Sequence, residues 1–264
     1  MNKFFFIHII GVIVKQLRGI PYYISDFFEI KRQQKSDKQK LFSLEKFFPV
    51  FADRFKEAGT LSKDYFYQDL FVARKIYEAN PIKHVDIGSL IRGFVAHVAV
   101  FRTIEVFDIR KHDSGVPNIV FQQADLMQLP EGMKNYCDSI SALHSIEHFG
   151  LGRYGDPIDY FGHIKAIENI TNILKPCGIF YFSVPIGKQR IEFNGHRVFA
   201  VSYLWDLLKN NYDLLSFSYV DNQGDFHENV LFLEPAISNN FGCDYRIGAG
   251  IGIFELKKKL QGIE

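Results

Sequence analysis

Between His84 and Pro185 the chain passes five times through one short pattern, an apolar run of strand-forming residues with a polar residue at its carboxyl end. The runs read HVDIGS, EVFDIR, FQQADLM, DSISALHSIEH and GIFYFSVP, and they predict strands at 83–87, 104–108, 118–122, 138–143 and 178–184. Helix candidates lie between them at about 92–100 and 159–174, the second closed by Lys175-Pro176-Cys177-Gly178 as a stop and turn. A further helix is expected over Val201 to Asn210, then strands at Leu214 to Val220, Asn229 to Leu233 and Gly250 to Lys257. Alternating β and α units leave few folded solutions, and the simplest is a parallel sheet with helices on both faces. Open sheets of this kind bind ligands beyond the carboxyl ends of their strands, where Asp86, Asp108, Asp125 and His144 fall.

The first of these turns carries most of the ligand information. Asp86-Ile87-Gly88-Ser89 places a glycine where the chain must leave a strand abruptly. The helical segment that follows can direct backbone N–H groups at an anionic end of a ligand. Asp108 then stands twenty positions after Gly88, where an acidic residue meets ribose hydroxyls. A dinucleotide would want G-x-G-x-x-G, so that the backbone can approach a pyrophosphate. Here the loop is G-S-L-I-R-G with Leu90 at the second required glycine, which disfavours pyrophosphate and favours a nucleoside cofactor without phosphates. Asp125 would sit beside an adenine, with Ala124 and Leu126 flanking it; a turn or helix-capping aspartate is the plainer alternative.

Two polar clusters follow the fourth and fifth strands. His144-Ser145-Ile146-Glu147-His148 matches the H-x-x-E-H pattern of zinc peptidases, but that mechanism needs the motif inside a helix and here it directly follows a strand. The stretch EHFGLGRYGDPID, Glu147 to Asp159, is dense in functional side chains and has little apolar content, which suits a functional loop. His148 is the natural general base, Arg153 could fix an anionic acceptor, and Asp156 or Asp159 could bind sugar hydroxyls or a metal. VPIGKQRIEFNGHRVF, Val184 to Phe199, faces the same edge and offers His196 as a second base; a structural histidine is its alternative.

The amino-terminal part is of another character. Residues 4–14 read FFFIHIIGVIV, too short for the ~20 residues of a spanning helix, and Lys15 and Arg18 follow. A buried helix and an interfacial helix with peripheral membrane contact through residues 4–18 are both open. Lys31 to Lys40 is a basic linker or a solvated helix face, and Leu41 to Asn80 has the spacing of two or three helices, with Pro49 at a kink. A helical extension over 1–80 and one sheet domain over 81–264 follow. With a formal net charge of +1 no global field draws the chain to nucleic acid, and no nucleic-acid partner is expected. Three distant cysteines without a CxxC argue against a disulfide framework or a cysteine zinc site; no metal is expected, and a reducing, cytoplasmic setting suits them.

With these residues in place, the sequence resembles the class I S-adenosylmethionine-dependent methyltransferases. More narrowly it resembles an uncharacterised domain-of-unknown-function family first named from Caenorhabditis proteins. The strings that carry the likeness are His84 to Ser89, Gly93 to His97, Glu105 to Arg110, His144 to Asp159, Ser183 to Gly187 and Asn194 to Phe199. The resemblance implies a Rossmann-like, doubly wound, mostly parallel sheet of seven strands whose last strand, Gly250 to Lys257, is antiparallel. It implies S-adenosylmethionine as cofactor, held by Asp86, Gly88, Ser89, Asp108, Asp125 and His144, with His148, Arg153 and His196 on the acceptor side. The acceptor would be a small molecule or a glycan precursor. A degenerate, non-catalytic binding or scaffold module is the alternative.

Overall fold

A computed structural model describes residues 3–36, 42–55, 63–113, 115–128, 131–230 and 250–260. The chain falls into two compact units, Met1–Leu61 and Ser62–Glu264. In the second unit the strands are, in chain order, β1 (His84–Ile87), β2 (Ile104–Asp108), β3 (Ile119–Gln123), β4 (Cys137–Leu143), β5 (Leu174–Ile186), β6 (Arg190–Glu192), β7 (His196–Val198), β8 (Tyr212–Val220), β9 (Phe226–His227) and β10 (Gly250–Lys258). The main sheet has the order β3-β2-β1-β4-β5-β10-β8-β9, and β6 and β7 form a separate hairpin. The first five strands are parallel, and β10 runs antiparallel between β5 and β8. The expected seven-stranded sheet is therefore present, with the two-residue β9 added at its edge.

The chain steps outward from β1 to β2 and β3, then crosses back to lay β4 on the other side of β1. That reversal opens a crevice at the carboxyl ends of β1 and β4. Strand β1 is buried along its whole length because both sheet faces are covered. On one face α4 (Gly162–Ile173) and α5 (Val201–Leu208) bring Ile167, Ile170, Leu204 and Leu208 onto Phe180, Phe182 and Phe254. On the other, α2 (Lys63–Ala79) and α3 (Ala96–Ala99) set Phe71, Val72, Ile76 and Val98 against Ile104, Val106, Tyr181 and Ile253. The spacing of these residues is that of helices with one buried stripe.

Several details differ from expectation. The segment 42–52 has no helix, and only Asp53–Phe55 makes a 3-10 turn. It lies along α1 (Lys3–Ser36) through Phe47 on Phe27, Phe51 on Tyr23 and Phe55 on Tyr22, so its apolar residues are placed by an aromatic ladder and not by a helical face. Helix α2 belongs to the sheet unit, in which its apolar stripe is buried. Helix α4 stops before Lys175, and residues 175–178 break the register of β5 on β4, with Cys177 in a left-handed backbone (φ 61). Of the strand expected at Asn229 to Leu233, residues 229 and 230 are not in a strand and the rest lie outside the described residues.

Lys258, buried at the end of β10, donates from Nζ to the carbonyls of Thr171 (2.7 Å) and Leu174 (2.6 Å), which close the last turn of α4. A cation there satisfies carbonyls that no helical N–H can reach. Lys258→Met is expected to cost about 1–3 kcal/mol, read as a lower urea midpoint with unchanged slope.

Candidate functional site

The crevice is built on a buried polar knot at the end of β1. Gly88 turns the chain with φ 64, a left-handed conformation that carries a steric penalty for any residue with a Cβ. Its N–H donates to the Phe107 carbonyl (2.9 Å), which ties the turn to β2. Asp86, fully buried, takes Ser89 N–H on Oδ2 (2.9 Å) and the hydroxyls of Ser89 and Ser141 on Oδ1 (2.6 Å each). The Ser89 hydroxyl accepts from Leu143 N–H in turn (3.1 Å), so one carboxylate fastens the β1 turn to β4. The His84 ring lies between Ser139 (2.8 Å, Nδ1) and Ser141 (3.1 Å, Nε2). With Asp86 ionised and the Ser141 proton committed to it, His84 Nε2–H donates to Ser141 and Nδ1 accepts from Ser139. Burial pushes Asp86 up to about 6, against the lowering by its three hydrogen bonds. Burial, with Arg102 adding to it, pushes His84 down to about 3.

Above this knot a cleft enclosing about 520 Å³ of free space, part of it open to solvent, is lined by residues that include Gly88, Asp108, Asp125, His144 and His148. Asp108, at the end of β2, is held by Arg110: Nε donates to Oδ1 (2.9 Å), Nη2 to Oδ2 (2.7 Å), and the Arg110 N–H also reaches Oδ1 (2.8 Å). The Arg110 guanidinium also lies 4.4 Å from the centre of the Tyr154 ring, so it bridges the Asp108 carboxylate and the opposite wall. Asp125 lines the cleft while its Oδ1 accepts Met127 N–H (2.9 Å), so turn capping and cleft lining coincide in one residue.

His144 has a left-handed backbone (φ 54), uncommon outside glycine, and its Nδ1 pairs with Glu147 Oε1 at 2.8 Å. Three buried polar atoms here have no hydrogen-bond partner among the described residues: His144 Nε2, Ser145 Oγ and Glu147 Oε2. Orphans of this kind cost free energy unless a ligand or water meets them. Ile146–His148 forms one 3-10 turn, so the H-x-x-E-H string does not have the helix that a zinc peptidase requires.

The far wall is the loop 149–160. Asp156 lines the cleft too, and its carboxylate accepts the N–H groups of Gly150 (2.7 Å), Gly152 (3.2 Å) and Tyr154 (3.2 Å). Asp159 pairs with Lys165 and accepts Phe161 N–H. Gly150 combines φ 76 with a close approach in which a Cβ would stand 2.0 Å from the Asp159 carbonyl oxygen. Arg197, 4% exposed, donates to the carbonyls of Phe149 (2.5 Å) and Tyr160 (3.1 Å), with longer contacts to those of Glu147 and Asp159. The cation is thus spent on both ends of the loop.

His148 Nδ1 lies 2.7 Å from the Gly195 carbonyl, which can only accept, so Nδ1 carries the proton and Nε2 is the basic atom. Burial lowers its pKa, so the ring is neutral at pH 7. The structure therefore brings together Gly88, Asp108, Asp125, His144 and His148 on one cleft. Asp86 and Ser89 lie beneath it, in the knot. Arg153 donates to the Gly195 carbonyl (3.1 Å), His196 pairs with Glu192 (3.4 Å), and neither lines the cleft. Arg110, Tyr154 and Arg197 carry no site signal of their own in the sequence beyond lying in the strings shared with the family, and only their partners reveal their roles.

A parallel β3-β2-β1-β4-β5 core, an antiparallel strand between the last two long strands, and a cleft at the β1/β4 reversal together define a class I methyltransferase fold. Residues 89–229, more than half of the chain, match the family described as "Caenorhabditis protein of unknown function, DUF268", and the chain belongs to that family. No curated protein matches it. Similar solved structures include a Burkholderia thailandensis 1,6-didemethyltoxoflavin-N1-methyltransferase with bound S-adenosylhomocysteine (12% identity, 74% of this chain and 80% of that one, TM-score 0.49). Another is the N-methyltransferase NodS of Bradyrhizobium japonicum, also in complex with S-adenosylhomocysteine (12% identity, 78% and 91%, TM-score 0.48). A third is the [4+2]-cyclase SpnF (15% identity, 72% and 82%, TM-score 0.49).

Arg197→Ala should release the loop without unfolding the sheet: hydrogen exchange at the Gly150, Gly152 and Tyr154 amides is expected to quicken at least about tenfold, with β4 and β5 still protected. Acid should destabilise the unit. Burial depresses His84 to about 3 and His163 to about 4. Their contribution is complete above the unfolded histidine pKa of ~6.5 and is lost as pH falls toward those values. Asp86, raised to about 6, acts with the opposite sign between about pH 4 and 6 and offsets part of the loss. Urea midpoints at pH 7 and pH 5 check this, and His163→Gln should shrink the difference.

Proposed function

We propose that the protein is an S-adenosylmethionine-dependent methyltransferase acting on a small polar acceptor, with a glycan or glycan precursor as the class the polar loop suits. The observation that supports it most is one cleft joining the Gly88 turn, the Asp108 carboxylate and Asp125, with the unpartnered His144 Nε2 and Ser145 Oγ beside them. The turn has Leu90 where a pyrophosphate would need glycine, which a cofactor without phosphates tolerates.

When bound, S-adenosylmethionine supplies a methyl group already activated on a sulfonium. Asp108 would accept from ribose hydroxyls once Arg110 shares it, and Ala124, Asp125 and Leu126 would flank the adenine. His144 and Ser145 would offer polar atoms to the amino-acid end. His148 Nε2 would take the acceptor's proton, and Tyr154 would form the wall against which the acceptor is aligned.

A non-catalytic binding module is the second reading, and the bidentate Arg110–Asp108 pair favours it, since the ribose-side carboxylate is already engaged. Calorimetry separates the two. The methyltransferase reading expects S-adenosylmethionine binding that Asp108→Ala weakens by about 1–3 kcal/mol, and the absence of heat or thermal shift at millimolar ligand overturns it. His148→Ala should leave that affinity nearly unchanged and lower turnover by about 10²–10⁴-fold once an acceptor is found. Because its pKa is lowered, the basic form of His148 persists as pH falls below the usual histidine value, so the acid limb of the rate profile should lie below pH ~6.5.

A further inference from the structure

We infer that the amino-terminal unit is a docking surface for anionic lipid bilayers, made by α1 and the segment 42–55 together. The segment 42–55 covers one side of the helix, at Tyr22, Tyr23 and Phe27. Helical spacing puts Leu17, Ile24, Phe28 and Lys35 on the other side, where the three apolar residues are 60%, 49% and 65% exposed. The segment itself adds Phe42 and Phe48, at 85% and 87%. Large apolar side chains left exposed in this number on a small unit mark it for interaction.

Charge selects the occupant. Residues 1–61 hold eleven Lys or Arg and six Asp or Glu, a net +5 in a chain whose total is +1, so the remainder carries −4. Lys31, Arg32, Lys35 and Lys46 belong to the same helix and segment as the exposed phenylalanines. A bilayer with anionic headgroups offers both complements, an apolar interior a few ångströms below a negative surface. A second copy would bring a like charge to the face. A nucleic acid would use the aromatic rings for stacking and gain nothing from Leu17 or Ile24. No helix among the described residues is long and apolar enough to cross a membrane, so the contact is with the surface.

The test is flotation of the whole protein with vesicles, which needs no cofactor and so stands or falls apart from the methyltransferase reading. Phosphatidylcholine vesicles with and without phosphatidylglycerol are compared. Binding is expected to be about tenfold stronger on the anionic vesicles and to weaken as salt rises from about 0.1 M to about 1 M. Phe28→Ser, Phe42→Ser and Phe48→Ser together should cut binding at least about tenfold. Lys31→Gln, Lys35→Gln and Lys46→Gln together should erase the preference for anionic vesicles. All six side chains are on the surface, and circular dichroism should show both variants folded. Failure to float with anionic vesicles overturns the inference, as does flotation indifferent to the phenylalanine changes. It is also overturned if sedimentation shows a vesicle-free dimer, or an RNA complex, that the phenylalanine variant abolishes while flotation is absent.

Discussion

One buried carboxylate governs the architecture of the candidate site. Asp86 stands where the sheet reverses its direction of growth, and it is the shared acceptor for groups from the β1 turn and from β4. Two strands that could otherwise splay at their carboxyl ends are held at hydrogen-bonding distance, which fixes the floor of the cleft. Charge burial is costly, and three donors at 2.6–2.9 Å offset only part of it, so the carboxyl stays well above its ordinary pKa. A position that costs stability and supplies geometry is characteristic of a site scaffold.

The opposite wall follows the same logic with the opposite sign. Asp156 gathers three amides inside the loop, and Arg197 gathers carbonyls at both of its ends. The long string from His144 to Asp159 is thus explained in physical terms. Its glycines let the backbone fold tightly around Asp156, and its fixed shape presents Tyr154 and His148 to the cleft. Between floor and wall, Arg110 spans from Asp108 to Tyr154 and couples the two halves electrostatically.

Much of the strand series was legible because each strand is short, apolar and bounded by a turn. The fully buried β1 and the amphipathic α4 could hardly have been read otherwise. The segment 42–52 reads as helical in sequence because spacing alone cannot tell a helical stripe from residues placed by rings on a neighbouring helix. The acidic residues were harder still. Asp86, Asp108, Asp125 and Asp156 all follow strands or turns, and sequence gives them similar prospects. Their fates differ because Asp86 is buried under the turn, while Asp108, Asp125 and Asp156 all line the cleft with different partners: Arg110, the Met127 N–H and three loop amides.

The antiparallel final strand followed from the family resemblance. From its sequence alone the chain declared a doubly wound α/β unit, a cleft at the carboxyl ends of the strands and a glycine turn that disfavours pyrophosphate. Those properties depend on local periodicity and on chain order, both of which are written linearly. Tertiary structure decided which polar side chains face the cleft and which are spent within the protein. It set the tautomer of His148 through the Gly195 carbonyl, forty-seven residues away in sequence. It also decided that Phe28, Phe42 and Phe48 remain exposed. Partner choice among buried polar groups is a matter of distance in space, and no spacing along the chain encodes it.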